Sequence, residues 1–493
     1  MSESTMSTEG VTSGEAVPRS MRYSETVPKS IKSSINYSSF LANNGSIFQE
    51  GGIVRIPITS SNQFLDTKQS FLRFEVNVQT TTAGGTVYFD GGGAGLIQRI
   101  RVLTAQNVEL TRTDGYNLLN VALMDMNSNL SYSKNFARVG EGLGNVNYTS
   151  SNNPQTSLTD VNNYSNVFTS PANVTTTAAS TDSSLVSFSI PLHCDAVLGP
   201  TMKKLLPLPI INGGIVLELL LAPAKQALYT AGIGTAVVSS YKMQNITFVG
   251  AMVMIDDTKL SQLIQIVRAG GLLISTQAWR QYLFTPSYGS QQVMKITDSL
   301  RSVKSYLGFF INRNTFGNGN ISSLSSRSRC GLSQYYMKYN NVPIPSEPIV
   351  CGTNDVIDGA TNTNTGYSKL YVDRAYAHLL NAMGRLSDVS HGLRLDLNRY
   401  SLISAGRSDN FTSADYTFTK EGSFMFGGNL DAFQSAVLSG INMSQNNLSQ
   451  LELYITLPSS TIASGNIEAN LYVYLLYDQE LVIDQNFNLS VIN

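Results

Sequence analysis

The sequence is poor in charge, in cysteine and in long apolar runs, and each shortage excludes something. Asp, Glu, Lys and Arg make up 14% of the 493 residues, against ~25% in an ordinary globular protein. Thirty-three basic residues nearly balance 34 acidic ones, for a formal net charge of -1. The basic excess with which a protein tracks a nucleic-acid backbone is missing, so no sequence-specific nucleic-acid binding is expected. Three cysteines, Cys194, Cys330 and Cys351, are too scattered for a disulfide framework or a C-x-x-C metal pair and read as buried thiols. The three histidines, His193, His378 and His391, are too far apart for H-E-x-x-H, which sets two imidazoles one helical turn apart on one zinc. No G-x-S-x-G elbow presents a nucleophilic serine.

No stretch approaches the ~18 apolar residues that span a bilayer, and Glu218 interrupts the best candidate, Ile215 to Leu221. The first twenty residues carry acidic side chains and no apolar core of the signal-peptide kind, so synthesis in the cytosol is expected. Residues 1–35 are rich in Ser, Thr and Glu with few apolar anchors. Such a segment cannot offset its ordering entropy by burial and reads as a flexible arm.

What is present is alternation. In Phe71-Leu72-Arg73-Phe74-Glu75-Val76-Asn77-Val78, Leu72, Phe74, Val76 and Val78 share one face and the polar residues the other, the period of a half-buried strand. The same pattern returns in Val186, Phe188, Ile190 and Leu192; in Ile215, Leu217, Leu219 and Leu221; in Leu451, Leu453, Ile455 and Leu457; and in Ala469, Leu471, Val473 and Leu475. Short strands between polar, Gly-rich connections predict an all-β protein of antiparallel sandwiches. The length suits two of them, since one all-β domain runs to ~200 to 250 residues. Two short helices, over 117–126 and 371–383, are expected in loops, and residues 144–184 and 352–368 are long polar insertions.

Ser70-Phe71-Leu72-Arg73-Phe74 in the first half matches Ser305-Tyr306-Leu307-Gly308-Phe309 in the second. Each half also ends in a predicted strand followed by acidic residues, 248–255 before Asp256-Asp257 and 471–477 before Asp478, which points to a tandem duplication. The expected division is an arm over 1–35, a first sandwich over 36–257, a linker over 258–271 and a second sandwich over 272–493.

The run Asp90-Gly91-Gly92-Gly93-Ala94-Gly95 invites a phosphate-loop reading, but Leu96 to Val102 continues as a strand rather than a helix and no Lys-Ser/Thr pair follows. A glycine turn between strands is the expectation. Carboxylate pairs for glycoside cleavage need no sequence proximity, so a glycan-binding or glycan-cleaving β-sandwich stays open beside the structural reading. The lone Trp279 weakens it, and the 24 tyrosines read as strand and interface residues.

From Ile53-Val54-Arg55-Ile56-Pro57-Ile58 through Asp66, then Ser70 to Phe74, the sequence resembles the opening strands of double jelly-roll major capsid proteins, nearest in look to those of Polinton-like viruses and virophages. Phe188-Ser189-Ile190-Pro191-Leu192, Leu205 to Ile210 and Asn212 to Leu219 are similar to the late strands of that family's first jelly roll. Residues 296–305, 339–349 and 439–444 resemble segments of its second. The resemblance implies two tandem eight-stranded antiparallel jelly rolls, and a homotrimer whose six sandwiches make a pseudo-hexameric capsomer of an icosahedral virion. It also implies penton and minor capsid proteins as partners, the two insertions as tower or rim loops, and an arm lying inside the shell. A minor vertex or spike protein of the virion is the neighbouring alternative. No catalytic, cofactor-binding or metal residue is assigned, no cofactor is expected, and the protein is read as no enzyme.

Overall fold

The alternation of Leu72, Phe74, Val76 and Val78 is the buried side of an 18-residue strand, with all four side chains shielded from solvent and Arg73 exposed between them. A computed structural model of the chain describes residues 33–81, 86–128, 173–175, 182–183, 185–230, 238–287, 291–313, 316–317, 324, 327, 332–351, 369–387, 400, 424–432, 438–443, 451–457 and 469–492. Most of the arm and of both polar insertions, with Cys330 and His391, lies outside these.

The first half runs β1 (Ser33–Leu41), β2 (Ile47–Gln49), β3 (Ile53–Ile58), β4 (Gln63–Thr80), β5 (Thr86–Phe89), β6 (Ile97–Thr104), β7 (Glu109–Asp114), α1 (Tyr116–Asn127), β8 (Asn173–Thr175), β9 (Val186–Ile190), β10 (Ile215–Leu221), β11 (Leu228–Thr230) and β12 (Val238–Ile255). Helix α2 (Asp257–Gly270) follows. The second half runs β13 (Leu272–Phe284), β14 (Gln292–Ile296), β15 (Val303–Asn312), β16 (Gln334–Tyr339), β17 (Val342–Val350), α3 (Lys369–Ala382), β18 (Phe426–Asn429), β19 (Leu451–Thr456), β20 (Ala469–Ile483) and β21 (Leu489–Ile492).

Four long sheets order these strands as β1-β12-β4-β9 and β3-β10-β6-β7 in the first half, and β13-β20-β15-β18 and β14-β19-β16-β17 in the second. Along the chain, the strands on these paths occupy the same places in both halves. Each half thus holds one sheet of its first, last, third and sixth path strands facing another of its second, seventh, fourth and fifth. That winding is a jelly roll, and it occurs twice. Further strands lie off the paths: β2 pairs β12, β21 pairs β20, and β11-β5-β8 form a small sheet. The described strands therefore exceed the expected eight in each half.

In the second sandwich the two sheets meet through Tyr335 of β16, whose ring stands 4.7 Å from Phe426 of β18 and whose hydroxyl donates to the Gly427 carbonyl at 2.9 Å. In the first, Tyr241 of β12 donates to the Ala222 carbonyl beyond β10 at 2.6 Å. The buried apolar residues form one continuous core cluster across both halves.

Three expectations change on contact with the fold. The pentapeptides do fall on equivalent strands, β4 and β15, but with opposite facing. Leu72 and Phe74 point into the first sandwich, Phe74 lying 5.6 Å from Phe188. In β15 it is Tyr306 that points into the second sandwich, toward Tyr335, while Phe309 on the other face stacks on Tyr472 and Tyr474. A one-residue slip turns every side chain over, and β15 tolerates it because its residues are buried on both faces. Asp478, read as following a closing strand, sits inside β20 and is buried. The stretch read as a linker is helical: the Asp256 carboxylate accepts from Thr258 N at 3.2 Å, a side-chain cap that starts α2.

The helix expected over 117–126 forms as α1, yet Tyr116 through Met126 are all buried. A helix covered on every side belongs to a core. Helix α3 takes the equivalent place between β17 and β18, with Ala375 and Leu379 buried and Asp373 and Arg374 exposed.

Candidate functional site

The features that invited chemistry resolve into structure. The glycine run is a buried 3-10 turn, Gly92–Leu96, leading straight into β6. A side chain at Gly95 would collide with the Asp90 carbonyl, and the Asp90 carboxylate accepts the backbone N–H of Leu324 at 2.7 Å, so the turn holds protein rather than phosphate. Cys194 is buried with its thiol toward the Asn120 side-chain oxygen at 3.7 Å, and Cys351 is buried in the second sandwich. His193 is half-buried and His378 lies on α3; desolvation lowers the pKa of both, with Arg374 adding to the effect at His378. Among the described residues no three His, Cys, Asp or Glu side chains gather as a metal site. Trp279 is buried in β13 and offers no face to a sugar ring.

Among the described residues, a set of polar contacts lies where the two sandwiches meet. Sheet β13-β20-β15-β18 turns its outer face to the first sandwich. Gln281 of β13 donates to the Tyr474 hydroxyl at 2.9 Å, and that hydroxyl donates to the Gly115 carbonyl, at the start of α1, at 3.0 Å. Gln479 of β20 donates to the carbonyl of Leu110 in β7 at 3.1 Å, and Thr276 of β13 to that of Ala196 at 2.5 Å. These bonds join side chains of the second sandwich to backbone carbonyls of the first, and the Gly115 carbonyl accepts from Leu119 N at 3.0 Å as well.

Two residues between β15 and β16 reach further into the first sandwich. Leu324 N meets Asp90 as above, and the guanidinium of Arg327 forms an ion pair with Asp125 of α1, both side chains almost fully buried. Arg327 also lies over the Phe309 ring at 5.8 Å, where the face of an aromatic ring attracts a cation. Beside the junction, a cleft of about 320 Å³ carries Lys304 between Asp431 at 3.5 Å and Asp478 at 3.6 Å, with Ser302 donating to Asp478 at 2.7 Å. At the far end of the junction, Asn212 N donates to the Phe487 carbonyl at 3.0 Å, and Arg268 of α2 covers the Phe487 ring. The bonds of Tyr474, Gln479, Thr276, Leu324 and Arg327 run from the second sandwich to the first and bind protein to protein.

No site residue was assigned from sequence, and this junction was not foreseen. Arg327 and Asp125 stand 202 positions apart and carry no motif. The one usable signal was the departure of β15 from alternation, since a strand apolar on both faces needs cover on both.

The class of protein is thus set by its architecture: a double jelly roll whose two sandwiches are locked face to corner. No protein-family model and no curated protein matches the chain. Solved structures do. A chain of the Sputnik virophage cryo-EM structure is 12% identical, with 98% of this chain and 93% of that one covered and a TM-score of 0.55. The major capsid protein of mavirus is 10% identical over 98% of this chain and 96% of its own, with a TM-score of 0.52. VP54 of PBCV-1, fitted into a reconstruction of the virophage Sputnik, is 12% identical over 96% and 99%, with a TM-score of 0.51. The chain shares the double jelly-roll fold of these structures.

Proposed function

We propose that the chain is a major capsid protein, assembling as homotrimeric, pseudo-hexameric capsomers into the icosahedral shell of a virion. The observation that carries this reading is the repetition of one jelly-roll strand order in two sandwiches joined by a buried junction. The fold matches the mavirus major capsid protein over 98% of this chain and 96% of that one. Six sandwiches from three chains would give a ring of six similar units, a natural tile for a shell.

Composition supports it. A shell subunit buries much of its surface against copies of itself, and interface cores are depleted in charge, in keeping with the 14% charged residues here. We divide the chain into an arm over 1–35, a first jelly roll over 36–257, a connection over 258–271 and a second jelly roll over 272–493. The first strand begins at Ser33, three residues inside that arm. Penton and minor capsid proteins complete the set of partners in this reading. No enzymatic role is included in it.

Light scattering on the purified protein, followed by electron microscopy, tests the reading. A mass of three times 53.5 kDa with hexagonal outlines, or shells growing from such particles, is expected. A chain that stays monomeric under every salt and pH tried would overturn it.

A further inference from the structure

We propose that Lys304 and Asp431 are the two halves of an intramolecular isopeptide bond, which the chain forms by itself with Asp478 as proton carrier. The inference stands apart from what the chain assembles into. The three side chains come from one run of neighbouring strands, β18-β15-β20. Lys304 lies in β15, Asp478 in β20 and Asp431 just beyond the end of β18. None of the three side chains is more than 10% exposed.

The backbone sets up the meeting. Val303 pairs with Tyr477 and Ser305 with Leu476, so Lys304 is the extra residue of a β-bulge. A bulge re-aims a side chain, and this one sends the Lys304 Nζ between two carboxylates, 3.5 Å from Asp431 Oδ2 and 3.6 Å from Asp478 Oδ1. The Leu430 N–H donates to the Lys304 carbonyl at 2.7 Å, which fixes the segment carrying Asp431 against the bulge.

The other partners of the two carboxylates divide their roles. Asp478 Oδ2 accepts from Ser302 Oγ at 2.7 Å and from Leu438 N at 3.0 Å, which anchors that oxygen and turns Oδ1 toward Lys304 and the Gln277 amide. Asp431 Oδ1 accepts from the Ser439 hydroxyl, so Oδ2 is the oxygen presented to Lys304. A donor at Oδ1 stabilises the negative charge that builds there when the carboxyl carbon is attacked.

In the reaction, the Lys304 ammonium passes a proton to the Asp478 carboxylate, and the amine lone pair attacks Asp431 Cγ. The Nζ–Cγ bond forms and the Cγ–Oδ2 bond breaks. Oδ2 leaves as water, taking the proton carried by Asp478 and one more from the attacking nitrogen. Asp478 ends as it began, nothing is oxidised or reduced, and no co-reactant is needed. An amine and a carboxyl held side by side away from bulk water gain the effective concentration of an intramolecular reaction. The cleft that the three residues line gives the released water a way out. The bond ties the edge strand β18 to β15, so the edge of the sheet cannot peel away without breaking a covalent link.

Intact-mass spectrometry of the purified full chain under denaturing conditions, followed by tryptic mapping, tests the proposal. The chain is expected one water lighter than its sequence mass of 53.5 kDa, with a branched peptide joining Lys304 to Asp431 and no cleavage after Lys304. Lys304→Arg, which keeps the charge but removes the amine, is expected at full mass. Asp478→Asn keeps both reacting groups; where circular dichroism shows it folded, it is expected at full mass with Lys304 open to trypsin. A wild-type chain at full mass and cleaved after Lys304 overturns the proposal, whether or not any variant folds. So does a missing water without the branched peptide. A folded Asp478→Asn chain that carries the branch overturns the part given to Asp478.

Discussion

The guanidinium of Arg327, held between β15 and β16 of the second sandwich, pairs with the carboxylate of Asp125 in α1 of the first, and neither side chain is more than 1% exposed. This is the most deeply buried ion pair among the described residues, and it crosses the boundary between the two jelly rolls. Removing one partner takes the opposite charge away from a side chain that water cannot reach, at a cost of about 3–5 kcal/mol. Asp125→Ala and Arg327→Ala are each expected to lower the denaturation midpoint by an amount of that order. Replacing both partners with apolar residues, Asp125→Leu with Arg327→Met, should cost much less than either single change, because desolvation then no longer opposes packing. A single variant that unfolds at the wild-type midpoint would remove the pair from the list of forces holding the junction.

Tyr474 ties the same boundary by a neutral route, accepting from Gln281 and donating to the Gly115 carbonyl. Tyr474→Phe keeps the ring stacked on Phe309 but removes one of the two bonds to that carbonyl, which still accepts from Leu119 N at 3.0 Å, and leaves the Gln281 amide without its acceptor, with an expected loss of about 1 kcal/mol. Gly115 has φ 56°, a left-handed conformation that costs an L side chain about 1–2 kcal/mol, and a Cβ there would press on Gln281 and the Tyr474 hydroxyl. Gly115→Ala is therefore expected to destabilise at least as much as Tyr474→Phe, and their effects should not add, since both act on one bond. Chemical denaturation of both variants and the double variant checks this, and full additivity would contradict it.

Much of this architecture was legible because exposure on one face imprints a period of two. The strands containing Leu72, Leu217, Leu453 and Leu471 form where alternation put them, and α1 and α3 form where their residues predicted helices. What escaped depended on cover arriving from far along the chain. Helix α1 looked like a loop element because nothing near it in sequence reveals that the second sandwich closes over it. Strand β15 carries apolar residues on both faces, so the similarity of its Ser305-to-Phe309 segment to Ser70-to-Phe74 located the right strand in the wrong register. Arg327 and Asp125 are single charged residues in unremarkable surroundings; only the folded chain brings them together. The glycine run was read correctly as a turn, since a strand rather than a helix follows it.

His193 gives the fold a predictable response to acid. Its imidazole is half-buried, its Nε2 is shielded from solvent with no hydrogen-bond partner among the described residues, and desolvation lowers its pKa below the ordinary 6.5. Above about pH 6.5 the ring is neutral in both folded and unfolded chains and contributes nothing to the pH dependence. As the pH falls below that value, the unfolded chain takes up a proton that the folded chain refuses, so stability falls with pH until the lowered folded pKa is reached. His378 acts in the same direction, through partial burial and the nearby Arg374, but it is less enclosed than His193 and its share should be smaller. Denaturation midpoints taken at about pH 7 and about pH 5.5 should show the wild-type chain losing stability on acidification. His193→Gln should flatten that loss more than His378→Gln. If His193→Gln kept the full wild-type slope, the acid response would have to come from other groups.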